Sequence, residues 1–129
     1  MKQISFKEIV EKINEINFDN FDLIIAIGKG GIIPAALVAD KLSLDMKVLW
    51  INYRDENHRP RYDNPKQTRE FEEIKDKNIL LVDDVSRTGK TLNKAKEILK
   101  NNKVKTFVLN GPADYNLMDS EECVKWPWK

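Results

Sequence analysis

The stretch Ile79-Leu80-Leu81-Val82-Asp83-Asp84-Val85-Ser86-Arg87-Thr88-Gly89-Lys90-Thr91-Leu92 decides the reading of this chain. Four consecutive apolar residues fit a strand buried on both faces, read as Asn78–Val82. The strand runs into two adjacent carboxylates. A short loop follows, and Leu92, Ala95, Ile98 and Leu99 then mark a helix ending near Asn101-Asn102. Each part suits an anionic sugar. A helix N-terminus offers free N–H groups and the positive end of its dipole to an anion. Gly89 lets the backbone approach a phosphate closely. Thr88 and Thr91 add hydroxyl donors. Asp83 and Asp84 can accept hydrogen bonds from sugar hydroxyls or hold the waters of a Mg²⁺ ion. Gly89-Lys90-Thr91 ends like a P-loop, but the first glycine of that motif would fall on Asp84.

Outward from this stretch, strands alternate with helices. Ser5 and Glu8 form a capping-box pattern, and Phe6, Ile9, Val10, Ile13 and Ile16 recur at helical spacing. Leu23–Ile27 reads as a second buried strand. Pro34 suits the first turn of a helix that Ala35 to Leu42 continue. Met46–Ile51 and Val104–Leu109 read as further strands. Residues 52–77 are polar and charged, with Pro60 and Pro65, and most of them read as a long loop. The tail after Asn110 reads as loop with one short strand at Cys123–Trp126. The order implies an α/β fold with a mainly parallel sheet flanked by helices and a small C-terminal tail or hood, as a single domain over residues 1–129. Ligands of such sheets bind beyond the carboxyl ends of the strands, here after Ile27, Ile51, Val82 and Leu109.

Composition narrows the function. With 22 Lys and Arg against 21 Asp and Glu, the formal net charge of +1 argues against a general nucleic-acid binder. One cysteine, Cys123, allows no internal disulfide. With no leader-like start, this leads to the expectation of a cytoplasmic protein. The apolar runs are too short to span a bilayer, so no membrane association is expected.

A second glycine-rich turn follows the first long strand: Ile27-Gly28-Lys29-Gly30-Gly31-Ile32-Ile33-Pro34-Ala35. A dinucleotide fingerprint starting at Gly28 would need glycine at Ile33. Taken with residues 79–92, this turn resembles that of the type I phosphoribosyltransferases, closest in pattern to the 6-oxopurine (xanthine-guanine and hypoxanthine) enzymes. The apolar run, acid pair and Thr-Gly-x-Thr of residues 79–92 resemble the family's signature for phosphoribosyl pyrophosphate (PRPP). The resemblance implies transfer of a phosphoribosyl group from PRPP to a nucleobase, a purine above all, with Mg²⁺ as cofactor and pyrophosphate released. It implies nucleotide salvage and a homodimer or higher homo-oligomer. By the same resemblance Asp83 and Asp84 face the ribose hydroxyls and hold Mg²⁺ through water. Arg87, Thr88, Gly89, Lys90 and Thr91 cradle the 5′-phosphate, and Ser86 joins the PRPP contacts. Lys29, Gly30 and Gly31 bind pyrophosphate. Asp83, Asp84 and Lys29 are the expected catalytic set, and a non-proline cis bond is expected at Gly28–Lys29.

Asn52-Tyr53 resembles the Ser-Tyr pair that opens the lid of the 6-oxopurine enzymes, and Tyr53 joins the expected PRPP contacts. The following loop supplies Arg54, His58, Arg59, Arg61, Lys66 and Arg69 as lid cations for a leaving group whose charge grows as its bond breaks. Trp126-Pro127-Trp128 resembles the family's aromatic-Pro-Trp ending, with Cys123 and Val124 expected at the base. Four positions depart from the pattern. Arg87 stands where an Asp is usual, and arginine stays protonated. Gly111 stands for a lysine, Cys123 for a base-stacking aromatic and Lys129 for a terminal acid. The alternative reading is a non-catalytic PRPP- or nucleotide-sensing regulatory protein of the same fold. An unrelated flavodoxin-type protein would share the sheet but lack the acid pair.

Overall fold

The computed structural model describes residues 1–53 and 64–129. Its elements are β1 (Lys2–Gln3), α1 (Phe6–Glu15), β2 (Leu23–Gly28), α2 (Ile32–Leu42), β3 (Met46–Asn52), β4 (Lys66–Gln67), β5 (Asn78–Val85), α3 (Lys90–Ile98), β6 (Lys103–Asn110), β7 (Tyr115–Met118) and β8 (Val124–Lys125). The main sheet has the order β4-β3-β2-β5-β6-β7. Its neighbours pair in parallel, except that β4 lies antiparallel to β3. The mainly parallel α/β sheet read from the sequence is thus the fold.

The apolar strands are continuous because both faces of the sheet are covered. Ile24, Ala26, Leu80, Val82, Phe107 and Leu109 point towards α1 and α2 and meet Trp126 of the tail. Ile25, Ile27, Leu49, Ile51, Ile79, Leu81 and Val108 point the other way, towards Leu92, Ala95 and Leu99 of the α3 side. Strand alternation distributes consecutive residues between these two layers.

Local chemistry sets the helix ends. Ser5 Oγ accepts the Glu8 N–H at 3.1 Å and starts α1. Lys41 on α2 donates to the carbonyls of Ile13, Asn14 and Ile16 at 2.9, 3.0 and 2.6 Å. One ammonium thereby satisfies the exposed carbonyl end of α1 and ties it to α2.

Three parts of the sequence reading are corrected. The segment read mostly as loop between residues 52 and 77 contains β4, and its Phe71 and Ile74 pack against the α3-side core. The tail contributes two strands: β7 extends the main sheet beside β6, and β8 pairs in parallel with β1. The third buried strand runs on to Val85, so the acid pair belongs to the strand itself.

Topology places the crevice. From β2 the chain moves to β3 on one side, and from β5 it moves to β6 and β7 on the other. The order therefore reverses between β2 and β5, the arrangement that opens a ligand crevice at the carboxyl ends of those strands. Gly28–Gly31 leave β2 there, and the Asp83–Thr88 segment leaves β5 beside them.

Candidate functional site

Asp83 and Asp84 lie at the carboxyl end of β5, just before its last residue, Val85. Asp83 is buried and accepts the Asp84 N–H at 2.8 Å; Asp84 Oδ1 accepts the Val85 N–H at 2.8 Å. Burial holds the Asp83 carboxyl well above the ordinary carboxylate range, and the neighbouring charge of Asp84 pushes the same way. Asp84 is the more accessible acid, and the Lys129 ammonium lies 3.5 Å from its Oδ2.

The glycine loop closes on this pair. A Cβ at Gly30 would come within 2.8 Å of both Asp84 carboxylate oxygens. A Cβ at Gly31 would overlap the Val82 carbonyl. These two positions let the β2 loop lie directly against the end of β5. The Gly28–Lys29 peptide is cis, as the resemblance implied. Lys29 is exposed at the tip of the loop, while Gly31 N–H donates to Ile27 O at 2.8 Å.

The second loop wraps from Ser86 to the start of α3. Gly89 has φ +78 and precedes the helix, whose N-terminus has no side-chain cap. Thr88 Oγ1 accepts the Lys90 N–H at 3.4 Å, and Arg87, Thr88 and Lys90 are exposed, with Thr91 half-buried. Lys90 Nζ lies 5.8 Å from the Tyr53 ring centre, so the end of β3 reaches this loop. The buried Ser86 donates its N–H to Asn110 O at 3.0 Å.

Around the base-handling positions the structure adds what spacing does not reveal. Gly111 has φ +119, and a Cβ there would overlap the Ser86 carbonyl. Backbone contact therefore fills the place where the resemblance puts a lysine. Arg87 Nη2 sits 3.9 Å from Cys123 Sγ, which sets the guanidinium between the phosphate-type loop and the tail. Cys123 is exposed and its carbonyl accepts the Lys2 N–H; Val124 is half-buried and packs on the core. Trp126 is buried and stacks on Trp128 with ring centres 5.9 Å apart.

Of the expected lid residues, Arg54, His58, Arg59 and Arg61 lie outside the described residues. Arg69 stacks over Trp50, 4.1 Å from the ring centre, and Lys66 lies in β4. The residue that sequence reasoning missed is Lys129. It stood out only as a departure from a family ending, and no spacing links it to Asp84.

Among the described residues no three His, Cys, Asp or Glu side chains converge as a cation cage. Two adjacent carboxylates are nevertheless a fitting donor set for Mg²⁺. That ion keeps several waters and commonly takes one or two protein carboxylates plus substrate phosphates.

The phosphoribosyl transferase domain model matches residues 2–127. The chain belongs to that family. A purine phosphoribosyltransferase of Pyrococcus horikoshii Ot3 superposes with a TM-score of 0.82 at 26% identity, over 99% of this chain and 93% of that one. A Neisseria gonorrhoeae protein solved with bound ppGpp gives a TM-score of 0.73 at 22% identity, over 98% and 89% of the two chains, a likeness of fold. The ribose-phosphate pyrophosphokinase of Ralstonia nicotianae is 27% identical over 119 residues, which are 87% of this chain. The match spans only 35% of that protein's length. Family and fold thus agree with the resemblance carried by residues 79–92 and 27–35. Among the described residues no helix is long and apolar enough to cross a membrane.

Proposed function

We propose that residues 1–129 act as one PRPP-dependent phosphoribosyltransferase domain, transferring the phosphoribosyl group to a nucleobase, a purine by preference. The observation that carries this is the contact of Gly30 with the Asp84 carboxylate. It joins the acid pair and its following loop to the Lys29 loop in one crevice. A sugar carrying phosphate at one end and pyrophosphate at the other has matching partners along that line.

In this reading the loop from Ser86 to Thr91 holds the 5′-phosphate with backbone N–H groups, hydroxyls and the α3 N-terminus. Asp83 and Asp84 accept hydrogen bonds from the ribose 2′- and 3′-hydroxyls. Lys29 and the loop N–H groups at Gly30 and Gly31 meet the pyrophosphate. Asp83 and Asp84 would hold a Mg²⁺ ion brought with PRPP, through its waters, and the ion would supply further positive charge for the leaving group. The C1′–O bond breaks with its electron pair going to pyrophosphate, and a ring nitrogen of the base forms the new bond to C1′. Positive charge fixed beside the departing oxygens stabilises the charge that develops there. Arg87 cannot take the proton that the base releases. An acceptor that is already ionised, or that passes its proton to water, suits this site.

The setting that goes with this activity is nucleotide salvage in the cytoplasm by a homodimer or higher homo-oligomer. A second reading has one observation in its favour. Altered base-handling positions at Arg87, Gly111, Cys123 and Lys129, with the fold of a ppGpp-bound protein, suit a nucleotide sensor without turnover. A pyrophosphate-release assay with PRPP, Mg²⁺ and a panel of purines and pyrimidines separates the two. Base-dependent release supports the transferase; PRPP binding with no release by any base supports the sensor.

A further inference from the structure

Lys129 is seated on the acid pair by a built anchor. Trp126 is buried in the core at 2% exposure, and Trp128 stacks nearly parallel to it. The Lys129 N–H donates to Trp126 O at 3.1 Å, turning the chain back towards β5. The side chain then reaches Asp84, whose own exposure is only 14%. The carboxylate side of the pair is enclosed, while the Lys129 side chain keeps 45% exposure and has room to move away. It also covers the more accessible of the two acids, the one that Gly30 leaves open by having no side chain.

We propose that Lys129 is a tethered counter-cation for Asp84, which must be displaced when a divalent cation and its sugar ligand take the acid pair. This rests on the proposed PRPP site and adds a residue that controls access to it. The ammonium neutralises Asp84 while the site is empty, so the two adjacent carboxylates do not repel each other unopposed. It also raises the cation concentration needed to fill the site, because an incoming divalent ion meets a charge already in place. Asp84 is thereby handed from an internal cation to an external one. Binding frees the Lys129 side chain without unseating the tryptophan pair.

The test uses Mn²⁺ alone as the probe, titrated by water-proton relaxation against the whole chain without PRPP. The variants are K129M, which keeps the stem but removes the charge, and K129R, which keeps the charge. K129M is expected to bind Mn²⁺ roughly tenfold more tightly than the parent, with K129R within about twofold of it. In a D84N background the gain from K129M is expected to vanish. Unchanged or weaker binding by K129M, or a gain that survives in D84N, overturns the proposal. Near-ultraviolet circular dichroism of the stacked tryptophans confirms that K129M keeps the anchor. PRPP binding by the parent chain is measured separately. Its absence, with the K129M gain intact, sinks the transferase reading and leaves the counter-cation standing. PRPP binding without any K129M effect does the reverse.

Discussion

The Cα of Gly30 lies against the carboxylate of Asp84, so closely that a methyl group there would come within 2.8 Å of both carboxylate oxygens. These two stand 54 positions apart in sequence, and the β2–β5 pairing brings them together. Gly30→Ala should therefore push Asp84 out of place and weaken a ligand held through it. The loss of one hydrogen bond to a charged group corresponds to about 1.5–3 kcal/mol, or roughly 10–100-fold in PRPP affinity. Gly31→Ala should behave differently, since its methyl would meet the Val82 backbone carbonyl. Overpacking against backbone should cost about 1–3 kcal/mol of stability. Thermal melts and PRPP titrations of both variants would show affinity lost first in one and stability lost first in the other.

Restoring the family's lysine at position 111 should fail. Gly111 has φ +119, and any Cβ there would overlap the Ser86 carbonyl. Gly111→Lys should lose about 2–3 kcal/mol in denaturant unfolding and gain no purine activity. A stable variant with raised activity on hypoxanthine or guanine would show that this loop is free to open.

The acid pair makes stability depend on pH in a defined direction. Asp83 binds its proton more tightly in the folded protein than in the unfolded chain, because burial and Asp84 disfavour its charge. Stability is therefore greatest below the ordinary value of 3.8 and falls as pH climbs from there towards the raised folded value. Asp83→Asn removes that cost and can still accept the Asp84 N–H through its side-chain oxygen. The variant should be more stable than the parent at pH 7, by a margin that shrinks towards pH 4. Parallel denaturant titrations at the two pH values would check this, and a variant less stable at pH 7 would contradict it.

Arg87 stands against Cys123, 3.9 Å from its sulfur, on the tail side of the crevice. Arg87→Ala should raise the KM for the base by roughly tenfold while moving PRPP affinity by less than about threefold. Loss of PRPP affinity in place of base affinity would show that the Arg87 guanidinium itself holds the 5′-phosphate.

How much could be read beforehand follows from which forces are local. Ile79–Val82, Leu23–Ile27 and Val104–Leu109 were legible because strands covered on both faces must be continuously apolar. The turn at Gly89 was legible because a helix start beside acids, threonines and glycine has few other uses. Short pieces were not. Strands β1, β4 and β8 are two residues each and polar in part, and only their pairing defines them. Tyr115–Met118 carries no strand signal of its own, because pairing with β6, and not its own alternation, makes it a strand. At the site, Asp83 and Asp84 stand out in the sequence as acids at the end of an apolar run, and Gly30 and Gly31 as a glycine turn. The Lys129–Asp84 pair and the backbone contact of Gly111 with Ser86 do not, because both are long-range contacts with no signature in spacing.

The central claim is that the acid pair and the two glycine-bearing loops form a PRPP site. Calorimetric titration of PRPP into the parent chain and into the Asp83→Asn/Asp84→Asn double variant, with and without Mg²⁺, tests it most directly. Binding should strengthen with Mg²⁺ in the parent. It should fall by at least roughly tenfold in the double variant, because neutral amides hold sugar hydroxyls and metal-bound water less strongly than carboxylates. A folded double variant that binds PRPP as tightly as the parent would contradict the account.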